Sequence, residues 1–373
     1  MNKTMRQPSK IGTYKQEDVL FLLKDLSHAR LEERVEIREK SIQAGHHYSE
    51  TLPIEYQPPK EYMELFWKTL NDYREKVALC TGIVAEQIYS KHGKSTVLVS
   101  LARAGTPVGI LIKRYLQSRF HISVPHYSIS IIREMGVDEN ALQYVLKHHP
   151  GCYIQFVDGW TGKGAISLEL SKACKTFHEK YGVFLDDTLA VLADPGFCTK
   201  LYGTREDFLI PSACLNSTVS GLVSRTILNK KFIGIDDFHG AKFYSELIDL
   251  DVSNEFIDRI SSEFSKIYEK AADIAQKRTK ENIEVEFLGM KDVRKIQEEF
   301  QIPHSNFIKP GVGETTRVLL RRIPWKILVR DLSSPYVKHI LMLAKEKNVE
   351  IVSYPNLNYL CCGLVKSLKN LGI

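Results

Sequence analysis

The sequence of 373 residues lacks the features that would tie it to a membrane, a metal framework or a disulfide network. It has no apolar run long enough to cross a bilayer, and its first residues, MNKTMRQPSKIG, contain no apolar core typical of a secretion signal. The seven cysteines are odd in number, and none forms a C-x-x-C pair. This argues against a disulfide framework and against a zinc site, so we expect free thiols in a cytoplasmic protein with no membrane contact.

A strong charge of either sign is also missing. The net charge is +6, and 43% of the residues are hydrophobic, which is ordinary for a globular protein with a sizeable core. A modest basic excess suits phosphate-rich ligands or RNA but does not by itself select either of them.

The order of apolar and polar segments predicts the domain organisation. Strand-like segments alternate with helical ones through the middle of the chain, which favours an α/β domain with a parallel sheet. We expect an N-terminal extension (1–60) packed on a main domain (61–300). The segment IPHSNFIKPGVGE is rich in Pro and Gly and indicates a boundary, followed by a small α/β domain (301–373).

One glycine loop attracts attention within the main domain. The segment VDGWTGKGAI (157–166) follows a β-prone stretch and precedes a helical one. A glycine turn that leads into a helix offers free N–H groups to a phosphate, and the Asp158 carboxylate suits vicinal hydroxyls, as on a ribose. The segment matches neither the P-loop nor the dinucleotide-binding pattern. A plain turn that uses Gly for its geometry is the alternative.

A second loop of the same kind lies earlier in the chain. In VLVSLARAGTPVG a strand is followed by Arg103, Gly105 and Thr106 and then by a helix. An arginine at such a position can bind phosphate oxygens through both arms of its guanidinium group. A surface arginine in an ordinary turn is again the alternative.

Together, LARAGT and DGWTGKG resemble the two ligand loops of type I phosphoribosyltransferases. The resemblance implies that fold, with Mg²⁺ as cofactor and phosphoribosyl pyrophosphate, or another sugar phosphate, as ligand. Asp158 would be the catalytic residue that holds the ribose. The implied substrate-binding residues are Arg103, Ala104, Gly105, Thr106, Thr161, Gly162, Lys163 and Gly164. The family motif has two adjacent acids and a longer spacer before Thr-Gly, whereas here Gly159 takes the second position.

Nearly the whole chain resembles a narrower group. The segments QAGHHYSE, SLARAGTPVG, VDGWTGKGAI, PSACLNSTVSGLVSRT and KPGVGETTRVLLRR are similar to the StiP family, phosphoribosyltransferase-like proteins associated with bacterial tellurite-resistance and stress gene clusters. Some members are labelled cysteine proteases. This resemblance implies a C-terminal pelota-type RNA-binding domain and a nucleoside-like metabolite or a modified RNA as ligand.

The C-terminal unit shows its own signature. KPGVGETTRVLLRR resembles the K-x-G-x-N-E-x-T-K segment of pelota and ribosomal L7Ae-type RNA binders, with Gly313 in place of the Asn. The candidate residues for contact with structured RNA are Lys309, Gly311, Glu314, Arg317 and Arg321. Phosphate contacts would make such binding salt-sensitive. A basic, solvated helix face is the alternative.

Further candidates come with structural alternatives. Asp236 and Asp237 are the pair we assign to Mg²⁺, although a capping or surface role is equally open. Arg133 and Asp138 would belong to a mobile loop over the site, unless Asp138 is a helix N-cap. The remaining candidates are His47 and Tyr48, as a hood that stacks on a base, with a simple linker as the alternative.

Three functions follow from these observations. The first is a glycosyltransferase that displaces pyrophosphate at the anomeric carbon with a base-like or other nitrogen acceptor, by positioning and electrostatics. The second is an RNA-binding regulatory protein with a degenerate sugar-phosphate pocket. The third is a cysteine protease, for which Cys198 or Cys214 would need a nearby base and a lowered pKa.

Overall fold

The computed structural model describes residues 7–34, 37–38, 41 and 45–366, and its main feature is a mostly parallel sheet. The predicted α/β architecture with a parallel sheet is therefore confirmed. One short strand, Gly136–Val137, pairs antiparallel with its neighbour. The parallel strands lie side by side in the order Leu20–Phe21, His126–Ile132, Thr96–Ala102, Tyr153–Trp160, Ala190–Ala193 and Leu201–Thr204.

The central strands are apolar along their length because helices cover both faces of the sheet. Leu98 belongs to one buried cluster, while its neighbours Val97 and Val99 belong to another on the opposite face. Helices Lys60–His92 and Gly105–Phe120 pack on the first face. The second face is covered by helices Glu139–His148 and Ala165–Tyr181.

The N-terminal segment belongs structurally to the main domain. Leu20–Phe21 adds an edge strand beside His126–Ile132. Two further short pairs hold the segment: Lys24–Asp25 with Gly240–Ala241, and Glu32–Glu33 with Leu52–Pro53. The charged helical stretch beyond residue 250 consists of two helices, Ser253–Ser261 and Phe264–Thr279, the second of which packs against helix Lys60–His92.

The C-terminal part is a small mixed sheet with helices around it. Its strands lie in the order Ile308–Pro310, Cys361–Val365, Pro324–Val329 and Glu350–Ser353, and its helices are Leu288–Glu299, Val312–Arg321 and Lys338–Glu346. The segment that we interpreted as a boundary contains the edge strand Ile308–Pro310. A short strand with a proline is tolerated there because it lies at the edge of the sheet. Val293 and Ile296, from helix Leu288–Glu299, pack in this unit's core.

The C-terminal unit is docked on the main domain through a shared core and a buried carboxylate. Ala213 of the main domain and Leu319 of helix Val312–Arg321 lie in one buried cluster. The Asp207 carboxylate accepts hydrogen bonds from the backbone N–H groups of Val312, at 2.8 Å, and Leu360, at 2.9 Å. It thus caps the first turn of a helix in the other unit, where N–H groups lack helical partners.

No helix in the described part of the chain is both long and apolar enough to span a membrane.

Candidate functional site

The two glycine loops lie side by side at the carboxyl edge of the parallel sheet. Ser100 and Val157 are paired on adjacent strands, just before the two loops. A Cβ atom on Gly105 would lie 2.4 Å from the carbonyl oxygen of Val157, so only glycine permits this close approach. Arg103 and Asp158 therefore meet at the same edge, where open parallel sheets bind their ligands.

The Asp158 carboxylate is half-buried and is stabilised by few hydrogen bonds. Its only described hydrogen bond comes from the backbone N–H of Gly159, at 2.8 Å. Burial raises its pKa to about 7, although that hydrogen bond and the charge of Arg317 pull the value down. Because this pKa lies near neutrality, Asp158 changes charge within the physiological pH range.

The hydroxyl groups expected to bind ligand are engaged inside the protein. Thr161 donates its hydroxyl hydrogen bond to the carboxylate of Asp194, which also accepts the backbone N–H of Cys198. The Thr106 hydroxyl is buried and lies 2.7 Å from the hydroxyl of Ser128. Both hydroxyl groups are therefore already hydrogen-bonded within the protein.

The second loop is covered by the C-terminal unit. The Tyr359 hydroxyl donates to the carbonyl oxygen of Gly162 at 3.0 Å, and Lys163 Nζ donates to the carbonyl oxygen of Ser305 at 2.9 Å. Gly164 has φ +84°, and a Cβ atom there would lie 2.6 Å from the Phe287 ring. The loop predicted to cradle a phosphate is thus packed against protein.

Positive charges from both domains surround this contact. Burial lowers the pKa of Lys163 to about 8, and the nearby charges of Lys309 and Arg133 act in the same direction. Burial also lowers the pKa of Lys309, with Glu314 opposing and Arg133 and Arg317 reinforcing that shift. Positive charges gathered in one partly buried place favour the binding of an anion.

Arg317 connects the two domains across this basic cleft. Its Nε donates to the carbonyl oxygen of Ala213, and its Nη1 donates to Glu314, each at 3.2 Å. Its guanidinium carbon lies 5.1 Å from the centre of the Trp160 ring. Burial alone would raise the pKa of Glu314, but Arg317 and Lys309 hold it below its ordinary value. The basic cleft, as we use the term, is bounded by Arg133, Lys163, Lys309 and Arg317, with Asp158 and Glu314 as its acids.

The N-terminal segment closes one side of the cleft. The Tyr48 hydroxyl accepts the backbone N–H of Arg133 at 2.9 Å. Arg225 Nη2 donates to the backbone carbonyl oxygens of Tyr48 and Thr51, each at 2.6 Å. The His47 and Tyr48 rings lie 4.6 Å apart. The sequence-predicted hood and Arg133 are therefore adjacent.

Asp138 has the structural role that the sequence left open as an alternative. It is the buried N-cap of helix Glu139–His148, where its Oδ1 accepts the N–H of Ala141 at 3.1 Å. Its Oδ2 accepts the backbone N–H of His239 at 2.6 Å. A residue buried in this way does not belong to a mobile loop over the site.

The two acids predicted to hold Mg²⁺ lie in different environments. Asp237 is buried and forms an ion pair with Lys24 at 2.6 Å, whereas Asp236 is exposed. Within the residues that the structure describes, no group of three or more His, Cys, Asp or Glu side chains is arranged to hold a metal ion. Asp237 thus already has a cationic partner, the Lys24 ammonium group.

Sequence reasoning missed several residues of the site. Arg225, Tyr359 and Asp207 carry no local motif, since each acts on a segment distant in sequence. Trp160 and Asp194 were missed as well. The one available signal was the sequence position of Trp160 beside the predicted strand end.

Comparison with known proteins now identifies the family. A family model described as "Tellurite-like stress resistance cysteine protease StiP" matches residues 12–261. A protein of Acinetobacter baylyi named "Cysteine protease StiP" is 33% identical over 376 residues, which cover 96% of this chain and 94% of that protein. The chain belongs to the StiP family. A second model, the PELOTA RNA binding domain, matches residues 287–367. The StiP-family resemblance and the pelota-type domain are thus confirmed.

The predicted phosphoribosyltransferase activity is wrong, because the StiP family model and the Acinetobacter relative are both named for a cysteine protease. The prediction of a glycosyltransferase that uses phosphoribosyl pyrophosphate is therefore wrong as well. The physical reason lies in the second loop, where the Thr161 hydroxyl is bonded to Asp194 and the loop packs under Tyr359. The local sequence could not show these contacts.

The cysteines of this StiP-family chain are free thiols in mostly buried positions. Burial raises the pKa of both Cys198 and Cys214 to about 12. Cys214 lies 3.9 Å from the Thr69 hydroxyl. Cys198 Sγ contacts the carbonyl oxygens of Gly162, at 3.6 Å, and Gly196, at 3.3 Å. In the described chain no cysteine makes a hydrogen bond to a histidine, and in this conformation Cys198 and Cys214 lack the lowered pKa of an activated nucleophile.

Proposed function

We propose that this StiP-family protein binds RNA in the basic cleft between its two domains, as part of tellurite-like stress resistance. The family description supplies the physiological setting, and the pelota-type match makes RNA the expected partner of the C-terminal domain. The cleft supplies the binding chemistry, which is attraction between RNA phosphates and lysine and arginine side chains.

One observation carries this proposal. The residues of the RNA-binding signature, Lys309, Glu314 and Arg317, face the main domain and its own lysine, Lys163. Within the described part of the chain, Lys309 has no side-chain hydrogen bond or ion pair. Its ammonium group is half-buried and would gain a charged partner from an RNA phosphate.

A binding titration with a fluorescein-labelled stem–loop RNA at several salt concentrations tests the proposal. We expect the wild-type affinity to fall steeply with salt, and Lys309→Ala to weaken binding about tenfold, or 1.4 kcal/mol. Lys345→Ala is the matched control, since it removes the same charge from an exposed position of the same domain. No RNA binding by the wild type, or equal loss in both variants, would contradict the proposal.

Thiol-dependent hydrolysis is the second candidate, and the name of the relative favours it. Cys198 is the cysteine that contacts the second loop at the cleft. For Cys198 to act, the covering C-terminal unit would have to move and a base would have to approach the thiol. Cleavage of casein by the wild type and by Cys174→Ser, but not by Cys198→Ser, would support it. Cleavage that survives Cys198→Ser would remove Cys198 as the nucleophile.

The proposal also covers the fold of the main domain and the location of the protein in the cell. The strand order of the main sheet supports a type I phosphoribosyltransferase-like fold, as an architecture without the transfer reaction. The free cysteines support a cytoplasmic location, where thiols stay reduced.

A further inference from the structure

Three arginines gather beside the basic cleft, and their hydrogen-bond partners are neutral oxygens. Arg103 Nη1 donates to the carbonyl oxygen of Val223 at 3.1 Å. Arg321 donates to the carbonyl oxygen of Cys214, at 2.6 Å, and to the side chain of Asn216. Arg225 donates to the two main-chain carbonyls of the N-terminal segment already described. Within the described chain, none of the three forms an ion pair with a carboxylate.

The charge of Arg103 acts on both of the other guanidinium groups. Burial lowers the pKa of Arg225 to about 10, and the charges of Arg38 and Arg103 contribute to the shift. Burial likewise lowers the pKa of Arg321 to about 10, with Arg317 and Arg103 acting in the same direction. Both guanidinium groups remain charged at neutral pH, so the corner holds partly buried positive charge that an anion would stabilise.

Among the described residues, Glu55 is the carboxylate whose charge acts on Arg321, and it does not neutralise the corner. The charge of Glu55 acts on Arg321 but ranks below burial and the neighbouring arginines. Glu55 Oε1 accepts both the backbone N–H and the hydroxyl of Ser217, at 3.0 and 2.7 Å.

Polar side-chain atoms of Arg225 and His47 at this corner are buried and have no hydrogen-bond partner among the described residues. They are Nε of Arg225 and Nε2 of His47. The Tyr48 ring lies over Arg225, with its centre 5.4 Å from the guanidinium carbon. An unsatisfied buried donor is costly, and a ligand that accepts from it removes that cost.

We propose that Arg103, Arg225 and Arg321 form a second anion subsite, which binds a phosphate group beside the basic cleft. Bidentate arginine contacts suit phosphate oxygens, and His47 offers a further donor when Nε2 carries its proton. The subsite rests on the proposed RNA function for the identity of its ligand, since a second phosphate of the same RNA is the expected occupant. A small free phosphate compound has the same chemistry, and the experiment separates the two sources.

The test uses the full chain and two probes, inorganic phosphate and the labelled stem–loop RNA. We expect inorganic phosphate to raise the melting temperature of the wild type and of the control Arg294→Gln, an exposed position outside the corner. Inorganic phosphate should raise the melting temperature of Arg103→Gln and of Arg225→Gln much less. In the RNA titration, each of these two variants should make the slope of log K against log[salt] shallower by about 1.

The outcomes are distinguishable. A wild-type salt slope in both variants, together with an unchanged phosphate effect, would overturn the subsite while leaving the RNA function in place. A lost phosphate effect with an unchanged RNA slope supports the subsite and assigns it to a small phosphate compound. Phosphate binding without any RNA binding keeps the subsite and rejects the RNA function. If Arg225→Gln does not fold, the result for Arg103→Gln tests the subsite alone. Arg103 makes one hydrogen bond to a single carbonyl oxygen, so we expect its loss to leave the fold intact.

Discussion

The two glycine loops look alike in sequence but differ in what surrounds them. The first loop presents Arg103, half-buried, and Ala104, exposed, at the sheet edge. The second loop is covered by Phe287, Ser305 and Tyr359 of the C-terminal part and leaves mainly the charges of Asp158 and Lys163 to act on the cleft. A loop sequence thus fixes a turn and the chemistry it can offer. The packing of distant segments decides which part of that chemistry reaches a ligand.

The largest effect should come from a substitution that breaks the covered loop. A Cβ atom on Gly196 would lie 2.1 Å from the carbonyl oxygen of Gly162. Because a backbone atom cannot yield easily, we expect Gly196→Ala to lower the free energy of unfolding by about 3 kcal/mol, measured by urea denaturation.

Gly162→Ala is the matched control, since nothing lies within 4 Å of the Cβ position and its φ is not positive. It should change stability by less than about 0.5 kcal/mol. Equal effects of the two substitutions would mean that the second loop is not held closed against its neighbours.

A smaller effect is expected from the pH dependence of RNA binding. Asp158 loses its proton near pH 7 and adds a negative charge to the cleft, and Lys163 loses its positive charge near pH 8. Both changes weaken binding of an anion as the pH rises. We expect RNA affinity to fall about tenfold between about pH 6 and pH 9 at constant salt.

Two variants separate the contributions to this decrease. Asp158→Asn should remove the part near pH 7, and Lys163→Arg, which stays charged, should remove the part near pH 8. A pH profile that neither variant alters would show that these two residues do not face the RNA.

The smallest effect should come from Arg133, at the rim of the cleft. Its exposed guanidinium group makes one long contact, 3.4 Å, with the Asn306 side chain. Arg133→Ala should leave the free energy of unfolding within about 0.5 kcal/mol of the wild type. In the RNA titration it should weaken binding about threefold and make the salt slope shallower by about 1. An unchanged salt slope would show that Arg133 does not contact the RNA.

Much of the fold could be predicted because its signals are local. The buried strand Thr96–Ala102 and the long helix Lys60–His92 follow apolar runs and helical periodicity that single segments contain. The edge strand Ile308–Pro310 could not be predicted, since three residues with a proline gain their strand conformation only by pairing with Cys361–Val365.

The place of the candidate site could be predicted in part. Arg103, Asp158 and Lys163 became candidates because a strand followed by a glycine turn places side chains at a sheet edge. The roles of Thr161 and Lys163 depend on Asp194 and Ser305, which lie far along the chain, and no local pattern indicates those contacts. The resemblance to phosphoribosyltransferases rested on the loops alone and therefore pointed to the wrong activity.

The most direct test of a cleft shared by two domains is the RNA affinity of Lys163→Ala. Lys163 belongs to the main domain, so a C-terminal domain that binds RNA alone would not need it. We predict binding about tenfold weaker than that of the wild type, as for Lys309→Ala, while Lys172→Ala, which changes an exposed lysine of the following helix, leaves affinity unchanged. Wild-type affinity in Lys163→Ala, with loss in Lys309→Ala, would contradict the account and assign RNA binding to the C-terminal domain alone.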